Sequence, residues 1–393
     1  MEDNKDLLNQ DNINNENNAN HSTDRELLRK KFLKMFSIIF IIFILFIVIL
    51  FILSLVFKKT YSYSDIENIM KDAAIKFYND NEKELPNENG NSVMIKAEDL
   101  ISSEYMKDFS EYNKNSNSCK GTVTVKKDGD DFIYTPKLNC GKLYTTTSLI
   151  EKIIIPEKIV NSGYGLYNIN NSYVYRGETV NNYIQLDNSL WRIVKVDANN
   201  NIEIIRNGRS SESVSWDDRY NAVLNYKVGI NDYSKSRIKD YLTDYYKNNN
   251  SKDNDIILSE NDKKKLVSFT ACINNRNQND TSKDGSTECS ITLDNQKISL
   301  LSVYDYMNAS VDINCIKTVD SSCQNYNYLS TDFDWWLLNG DPSKSSLTYA
   351  VSSGYIYPYS AVSYKRVRPV VYLNSDVLYV SGDGSLEKPF KVR

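Results

Sequence analysis

Polar and apolar positions divide the chain into regions of sharply different pattern. Residues 1–24, MEDNKDLLNQDNINNENNANHSTD, include eight Asn and almost no apolar side chains. A stretch that can bury so little does not offset its ordering entropy, so a disordered tail is expected over residues 1–31. From Met35 to Phe57 the pattern inverts into 23 residues without a charge. As a helix this run is about 34 Å long, enough to cross a hydrocarbon core of about 30 Å. It lacks the polar face that a core helix shows. It also ends in Phe57-Lys58-Lys59 rather than in the small residues of a secretory cleavage site. A transmembrane helix is therefore predicted over residues 32–57.

Beyond that run, apolar residues return at structural periods. Ile66, Ile69, Met70, Ala73 and Phe77 recur at helical spacing behind a capping-box pattern, Ser64-Asp65-Ile66-Glu67, and Pro86 and Gly90 end the helix. A shorter helix is expected over Ala97–Lys107. Thr122–Val125 and Phe132–Tyr134 then flank Asp128-Gly129-Asp130-Asp131, which reads as a hairpin with a tight turn. Folding about Gly129–Asp130 sets Cys119 opposite Cys140 at the end of the ribbon, close enough to bond. These elements make a small module over residues 60–148, followed by a linker over 149–162.

Residues 163–393 alternate between strand-like and helix-like segments. Tyr183–Leu186, Leu190–Val196 and Ile202–Arg206 read as successive strands, with turns at Asp187-Asn188 and Ala198–Asn201. Ser234–Lys247 reads as an amphipathic helix and Ser259–Phe269 as a second, with Ser259 as its N-cap. Ile298–Val303 reads as a buried strand leading into a short helix at Tyr304–Ala309. Strands are expected at Thr348–Val351, Val367–Leu373, Val377–Val380 and Phe390–Val392. The fold class is α+β, with one N-terminal transmembrane helix, a small helix-plus-hairpin module and a larger α+β domain.

Charge and cysteine usage orient this plan. Arg25, Arg29, Lys30, Lys31 and Lys34 precede the apolar run, and only Lys58 and Lys59 follow it closely. The positive-inside bias keeps the N-terminus cytoplasmic and places everything after Phe57 outside, giving a single-pass plasma-membrane protein. All six cysteines follow the run, in pairs Cys119/Cys140, Cys272/Cys289 and Cys315/Cys323. That usage fits disulfides in an oxidising compartment better than metal ligation, for which no C-x-x-C exists. The last two pairs are expected to close long loops. The net charge of −4 offers no footprint for nucleic acid. Partners are therefore the lipid bilayer, through Met35–Phe57, and a glycan or protein ligand.

Two resemblances add to this reading. An apolar anchor, a following helix and a disulfide-closed ribbon resemble the plan of type IV pilins and pseudopilins over about residues 35–145. Lys34-Met35-Phe36-Ser37 stands where a prepilin carries its Gly-Phe processing site, and no Glu lies in the run, so the module reads as a non-assembling spacer. Further on, Asn181-Asn182-Tyr183-Ile184, Leu190-Trp191-Arg192-Ile193-Val194, Ile298-Ser299-Leu300-Leu301, Trp335-Trp336-Leu337-Leu338 and Arg366-Val367-Arg368-Pro369-Val370-Val371-Tyr372-Leu373 occur in that order. Gly382-Asp383-Gly384-Ser385 and Lys388-Pro389-Phe390 follow them. This succession resembles an uncharacterised family of exported domains of low-GC Gram-positive bacteria. That family is distantly similar to the formylglycine-generating, sulfatase-modifying enzymes and to C-type-lectin-like folds. The resemblance implies a lectin-like α+β domain over 163–393, and the 48 Asn fit an AT-rich bacterial genome.

The available chemistry is narrow. The one histidine, His21, precedes the apolar run, which removes His-dependent nucleophilic and metal chemistry from the exported part. No phosphate-loop motif occurs, and no cofactor is indicated. Carboxylate catalysis, as in a glycan hydrolase, would fall to Asp217, Asp218, Asp332 or Asp334, residues that serve equally as helix and turn caps. Asp280, Ser282, Asp284 and Gly285 match the start of an EF-hand loop, but Ile291 stands where its bidentate Glu is needed. Asp332, Asp334, Asn339 and Asp341 form a second acidic cluster, read as a solvated loop, and no metal is assigned. All 29 Tyr and four Trp follow the apolar run. Tyr355, Tyr357, Tyr359 and Tyr364, in a stretch read as an exposed loop with Trp335 upstream, are the ligand-binding candidates. The function expected is non-catalytic recognition at a bacterial surface, of a wall glycan, a host ligand or an exported protein. A carboxylate-dependent hydrolase or a minor pilin-like assembly component is the alternative.

Overall fold

The computed structural model describes residue 27 and residues 29–49, 60–186, 189–248 and 258–393. Most of the expected tail with His21, residues 50–57 of the apolar run with Lys58 and Lys59, and the Asp187-Asn188 turn lie outside the described residues. The chain divides into two compact units, residues 1–62 with 110–114 and residues 63–109 with 115–393.

In the first unit, helix α1 (Arg29–Ile49) runs through 21 residues and its apolar side chains are exposed along its length. A helix of this length and composition near the N-terminus fits a membrane anchor or a signal sequence. In the same unit Tyr61 and Tyr112 meet edge to face at 5.6 Å, and the Tyr61 amide donates to the Tyr112 carbonyl.

The second unit begins with α2 (Tyr63–Asp80), which buries Ile66, Met70, Ala73, Ala74 and Tyr78 at helical spacing. That stripe packs on an antiparallel sheet of β1 (Ser92–Lys96), β2 (Lys120–Asp128) and β3 (Asp131–Asn139). The β2–β3 ladder runs from Lys120 opposite Asn139 to Asp128 opposite Asp131, the register the turn predicts. Cys119 and Cys140 are bonded one step beyond, with Cα atoms 4.1 Å apart. Gly121 has no side chain where the end of Met70 sits, which allows α2 to approach the sheet.

Two local expectations change here. The helix starts at Tyr63, so Ser64 lies inside it, and Glu67 turns inward to accept from the Tyr144 hydroxyl (2.9 Å), Thr146 and Arg393. The helix expected to reach Lys107 is α3 (Ala97–Ser102). Glu104 adopts a left-handed φ of 63° just after it, and the Tyr105 amide returns to the Leu100 carbonyl at 2.9 Å. Next along the chain comes α4 (Phe109–Tyr112), whose residues from Ser110 on belong to the first unit.

The stretch expected as a linker is part of the core. Ser148 and Glu151 form a capping box on α5 (Leu149–Ile153), whose Leu149 and Ile153 are buried among the residues of the large core. Next come β4 (Gly165–Ile169), β5 (Ser172–Arg176), β6 (Tyr183–Leu186), β7 (Ser189–Val196) and β8 (Ile202–Arg206), then the short β9 (Val214–Ser215), β10 (Tyr220–Asn221) and β11 (Tyr226–Lys227). Helices α6 (Arg237–Asn248) and α7 (Glu260–Lys263), strands β12 (Leu266–Val267), β13 (Phe269–Cys272) and β14 (Thr292–Gln296), and helix α8 (Val303–Asn308) follow. The last strands are β15 (Trp335–Gly340), β16 (Leu347–Ser352), β17 (Tyr355–Ser360), β18 (Tyr364–Lys365), β19 (Val370–Leu373), β20 (Tyr379–Ser381) and β21 (Phe390–Val392).

The main sheet runs β12-β19-β8-β7-β6-β21-β20, with the β4–β5 hairpin joined through β5 to β7. A second sheet is the antiparallel meander β15-β16-β17. Trp191, Trp216, Trp335 and Trp336 are all fully buried in the core. Ser259 caps a helix as expected, but α7 is a single turn, because Leu266 and Val267 leave it to pair with Leu373 and Tyr372 of β19. In Ile298–Val303 only Ser299 pairs in strand fashion, exchanging both backbone bonds with Val370.

The two later cysteine pairs are bonded as the spacing suggests, Cys272 to Cys289 and Cys315 to Cys323, with Cα atoms 4.2 and 4.5 Å apart. The role expected of the last pair needs correcting, because it does more than close a loop. Cys323 is fully buried and belongs to the large core, as does Cys315. The Cys323 carbonyl accepts from Asn327 Nδ2, itself buried and bonded to the Tyr306 carbonyl of α8. The disulfide thus ties the 315–323 segment to the core, a site where a sulfur pair packs as an apolar group.

Candidate functional site

Two adjoining cavities lie where the β4–β5 hairpin, α8 and two disulfide-closed loops meet. The outer holds about 510 Å³ and is bordered by Tyr167, Arg176, Lys283, Tyr304 and Ile313 among others. The inner holds about 180 Å³ and reaches Lys195, Glu288, Ser302 and Asp305. Ile169, Tyr304 and Asn308 border both.

Each wall follows from local sequence. Asn170 and Asn171 adopt φ of 49° and 62°, the pair of left-handed residues that a two-residue hairpin turn requires, and so fold β5 back on β4. Ser302 caps α8 by accepting the Asp305 amide at 3.0 Å. The opposite wall, residues 276–290, is organised around Arg276. Its Nη1 donates to both Glu288 oxygens (3.0 and 3.2 Å), and its Nη2 donates to the carbonyls of Asp280 and Ser282. Cys272–Cys289 closes this loop. Of the last pair, Cys315 borders the outer cavity, whereas Cys323 borders neither cavity. Gly285, at φ 74°, fits a turn that side chains disfavour, and a Cβ there would lie 3.1 Å from the Tyr304 ring.

Charge gathers at the inner end. The Lys195 ammonium pairs with Asp305 at 2.6 Å and Glu203 at 2.9 Å, the Tyr372 hydroxyl donates to Glu203 at 2.7 Å, and Ser302 donates to Asp305. Burial, and after it the charge of Asp305, pushes the Glu203 carboxyl up to about 7. Burial disfavours the Lys195 ammonium, but Asp305 and Glu203 outweigh it and hold its pKa well above the ordinary lysine value. Glu203 lies behind the cavity wall, reached from it through Lys195. Burial also raises the Tyr304 phenol, to about 12.

The carboxylates singled out in the sequence stand elsewhere, and none of them borders the cleft. Asp217 is fully buried and ties three segments together: Oδ1 accepts from Arg219 Nε (2.8 Å) and the Arg237 amide (3.1 Å), and Oδ2 from the Ile230 amide (2.7 Å). Asp218 is exposed, 3.5 Å from Arg237. Asp332 is exposed too. Asp334 accepts from Lys365 and Ser352, both at 2.6 Å; partial burial opposes its charge, but these bonds win and hold its pKa below the usual carboxylate range. The acidic clusters are likewise engaged. Asp280 accepts from the Ser282 amide and Thr287, Asp284 from Ser286, and Asp341 from Gln278. Among the described residues no group of three or more His, Cys, Asp or Glu is placed to hold a metal ion.

The tyrosine candidates form an edge ribbon rather than a loop. Tyr355, Tyr357 and Tyr359 lie on β17, paired with β16, and alternation puts the three on one face. Tyr355 and Tyr357 are 6.0 Å apart, Lys365 Nζ lies 3.6 Å over the Tyr359 ring, and Tyr364 on β18 is 74% exposed. Trp335 must be withdrawn as a ligand contact. It is fully buried, its ring is covered by the Arg368 guanidinium at 4.7 Å, and its Nε1 donates to Thr331.

Sequence reasoning missed Tyr167, Arg176 and Tyr304. The signal for the first two was present in the Asn170-Asn171 turn between two short alternating segments. No family model, curated protein or solved structure matches this chain.

Proposed function

We propose that the chain is a membrane-anchored recognition protein of a bacterial surface, with its N-terminus in the cytoplasm and the region after Phe57 outside. The ligand occupies the cleft between the β4–β5 hairpin and α8, and binding is non-catalytic. One observation carries this reading: a cavity of about 510 Å³ bordered by two tyrosine rings and an arginine, a size and lining suited to a small polar ligand. Three disulfides support the outside location of the second unit. The Lys/Arg excess before the apolar run supports the orientation. A wall glycan or the end of an exported peptide suits the cleft better than a broad protein face. The resemblance to exported lectin-like domains is in keeping with that choice, and the helix on a disulfide-closed sheet then serves as a spacer.

The test is a thermal-shift screen of the full chain in detergent, disulfides intact, against wall fragments, glycans, exported peptides and divalent cations. Saturable stabilisation by one class is expected through linkage. It should disappear in Tyr304→Ala and persist in Tyr357→Ala. The reverse pattern moves the site to the tyrosine ribbon. A released cleavage product overturns the non-catalytic reading.

A further inference from the structure

Several guanidinium groups withdrawn from water in the second unit have a carboxylate, stacked rings or carbonyls beside them, although Arg219 Nη2 and Arg276 Nε also lack an acceptor. Arg276 is paired with Glu288, and Arg219 with Asp217. Arg192 is sandwiched between the rings of Tyr183 (4.0 Å) and Tyr328 (4.7 Å), and donates to Asn182 Oδ1 and the Tyr183 hydroxyl. Arg368 lies over Trp335 and donates to the carbonyls of Arg206 and Leu329.

Arg176 differs from these in bordering the outer cavity. Its Nη2 donates to the Ser310 carbonyl at 2.6 Å, while its Nε is buried with no acceptor. The guanidinium lies 5.0 Å over the Tyr167 ring, whose own hydroxyl is fixed on the Gly163 carbonyl. Among the described residues no carboxylate forms an ion pair with it. Burial lowers its pKa, and the neighbours that offset this are the phenols of Tyr167 and Tyr304. Asp312, the one acid bordering the outer cavity, is engaged by the amide and side chain of Asn314 and by Asn325. Lys283, exposed and without an ion pair among the described residues, stands at the lip.

A half-buried guanidinium that faces a cavity and has no carboxylate in an ion pair with it is a receptor for an anion, and its planar fork matches a carboxylate. We propose that the outer cleft binds a carboxylate: Arg176 takes the two oxygens, Lys283 adds positive charge at the lip, and the uncharged body of the ligand lies along Tyr167 and Tyr304. A dianionic phosphate fits less well, since the inner cavity presents Asp284, Glu288 and Asp305. Such a carboxylate has two natural sources, an acidic sugar and the C-terminus of a peptide. The inference rests on the cleft being the ligand site.

Matched pairs test it on the full chain in detergent. One pair is glucuronate and glucose; the other is N-acetyl-alanyl-alanine and its C-terminal amide. Binding is followed by ligand-observed NMR and calorimetry. One carboxylate should bind saturably, with its neutral twin weaker by about tenfold or more, and the pair that responds names the source. Arg176→Gln should abolish the difference between the twins, and Arg176→Lys should restore part of it. Because Arg176 also holds Ser310, Lys283→Gln provides a control on the surface, expected to weaken the carboxylate a few-fold and leave unfolding unchanged. Equal binding of both twins, a preference that survives both Arg176→Gln and Lys283→Gln, or no binding of either carboxylate at millimolar concentration overturns the proposal. A ligand found in the screen that is lost in Tyr304→Ala but indifferent to Arg176→Gln would sink the carboxylate assignment alone and leave the recognition site in place.

Discussion

The Cys119–Cys140 and Cys272–Cys289 disulfides span similar lengths of chain, with separations of 21 and 17, yet they hold different kinds of structure. The first sits at the end of an unbroken ladder of nine residue pairs. The register is set by the ladder and its turn, and the bond adds to what is already fixed. The second joins the end of β13 to the turn Glu288–Ser290 that precedes β14, and these two strands share three pairs interrupted by a bulge. Between the cysteines the chain takes its shape from the ion pairs of Arg276 with Glu288 and Asp280, side-chain bonds within the loop, and scattered backbone bonds to Glu288, Ile291 and Gly340. That second loop forms a wall of the proposed cleft. Its geometry therefore rests on irregular bonds that converge on Arg276, whereas the ribbon has a regular ladder whose bonds act together.

The strongest test of this contrast is Arg276→Ala. Removing one partner of a buried pair leaves Glu288 uncompensated and should cost about 3–5 kcal/mol in urea unfolding. The double change Arg276→Met with Glu288→Leu should recover most of that loss, and a failure to recover it would mean that the bonds to the Asp280 and Ser282 carbonyls matter more than the charge pair. Replacing each cysteine pair by serine comes next. Chain entropy gives either pair a similar cost, about 3 kcal/mol. Hydrogen exchange should separate them, with protection lost across 276–288 in the Cys272/Cys289 variant and kept along β2 and β3 in the Cys119/Cys140 variant. Equal loss in both would break the comparison.

The inner end of the cleft offers a third test. The Glu203 pKa in the fold lies above its unfolded value, so its contribution is fully present below about pH 4.5 and is lost as pH rises through about 7. The neighbours facing it are Lys195, Asp305 and Tyr372, and Lys195 stays charged across that window. Wild-type stability should fall by up to ~3 kcal/mol across the window, and Glu203→Gln should flatten the fall, measured by urea unfolding at a series of pH values. The smallest effect is expected at the tyrosine ribbon. Tyr364 is 74% exposed, and Tyr364→Ser should shift stability by no more than about 0.5 kcal/mol.

What was legible in the sequence followed the distance over which the deciding contacts act. The β2–β3 register and its disulfide could be read because a local turn fixes both. Strands β6, β7 and β8 could be read because alternation and short turns are also local. The pairing of Cys315 with Cys323 could be read from their closeness in the chain, but not the burial of Cys323, which depends on the distant residues packed around it. The helix expected over Ser259–Phe269 failed where the contact is remote: Leu266 and Val267 have apolar side chains that suit a helix, and pairing with β19 overrides that preference. The stretch of Tyr355–Tyr364 reads as a loop because Gly354 and Pro358 favour turns, but Gly354 turns the chain at φ 84° and Pro358 occupies β17 at the end of its sheet, a position where the missing amide costs little. The cleft was not legible as a site. Tyr167 and Arg176, Lys283, and Tyr304 belong to three separate stretches, and no spacing between them announces that they meet.

The order of strands in the main sheet bears on how the protein comes to exist at all. Tyr372 reaches Glu203 across 169 residues of sequence, β21 lies parallel to β6, and Arg393 reaches Glu67 across 326. A chain emerging from its N-terminus would hold β6, β7 and β8 as an incomplete apolar sheet until residues 370–393 arrive. Pairings this remote form slowly, and unpaired strand edges invite association in the meantime. The waiting time, rather than the strength of any finished contact, would then set how much of the protein needs an escort.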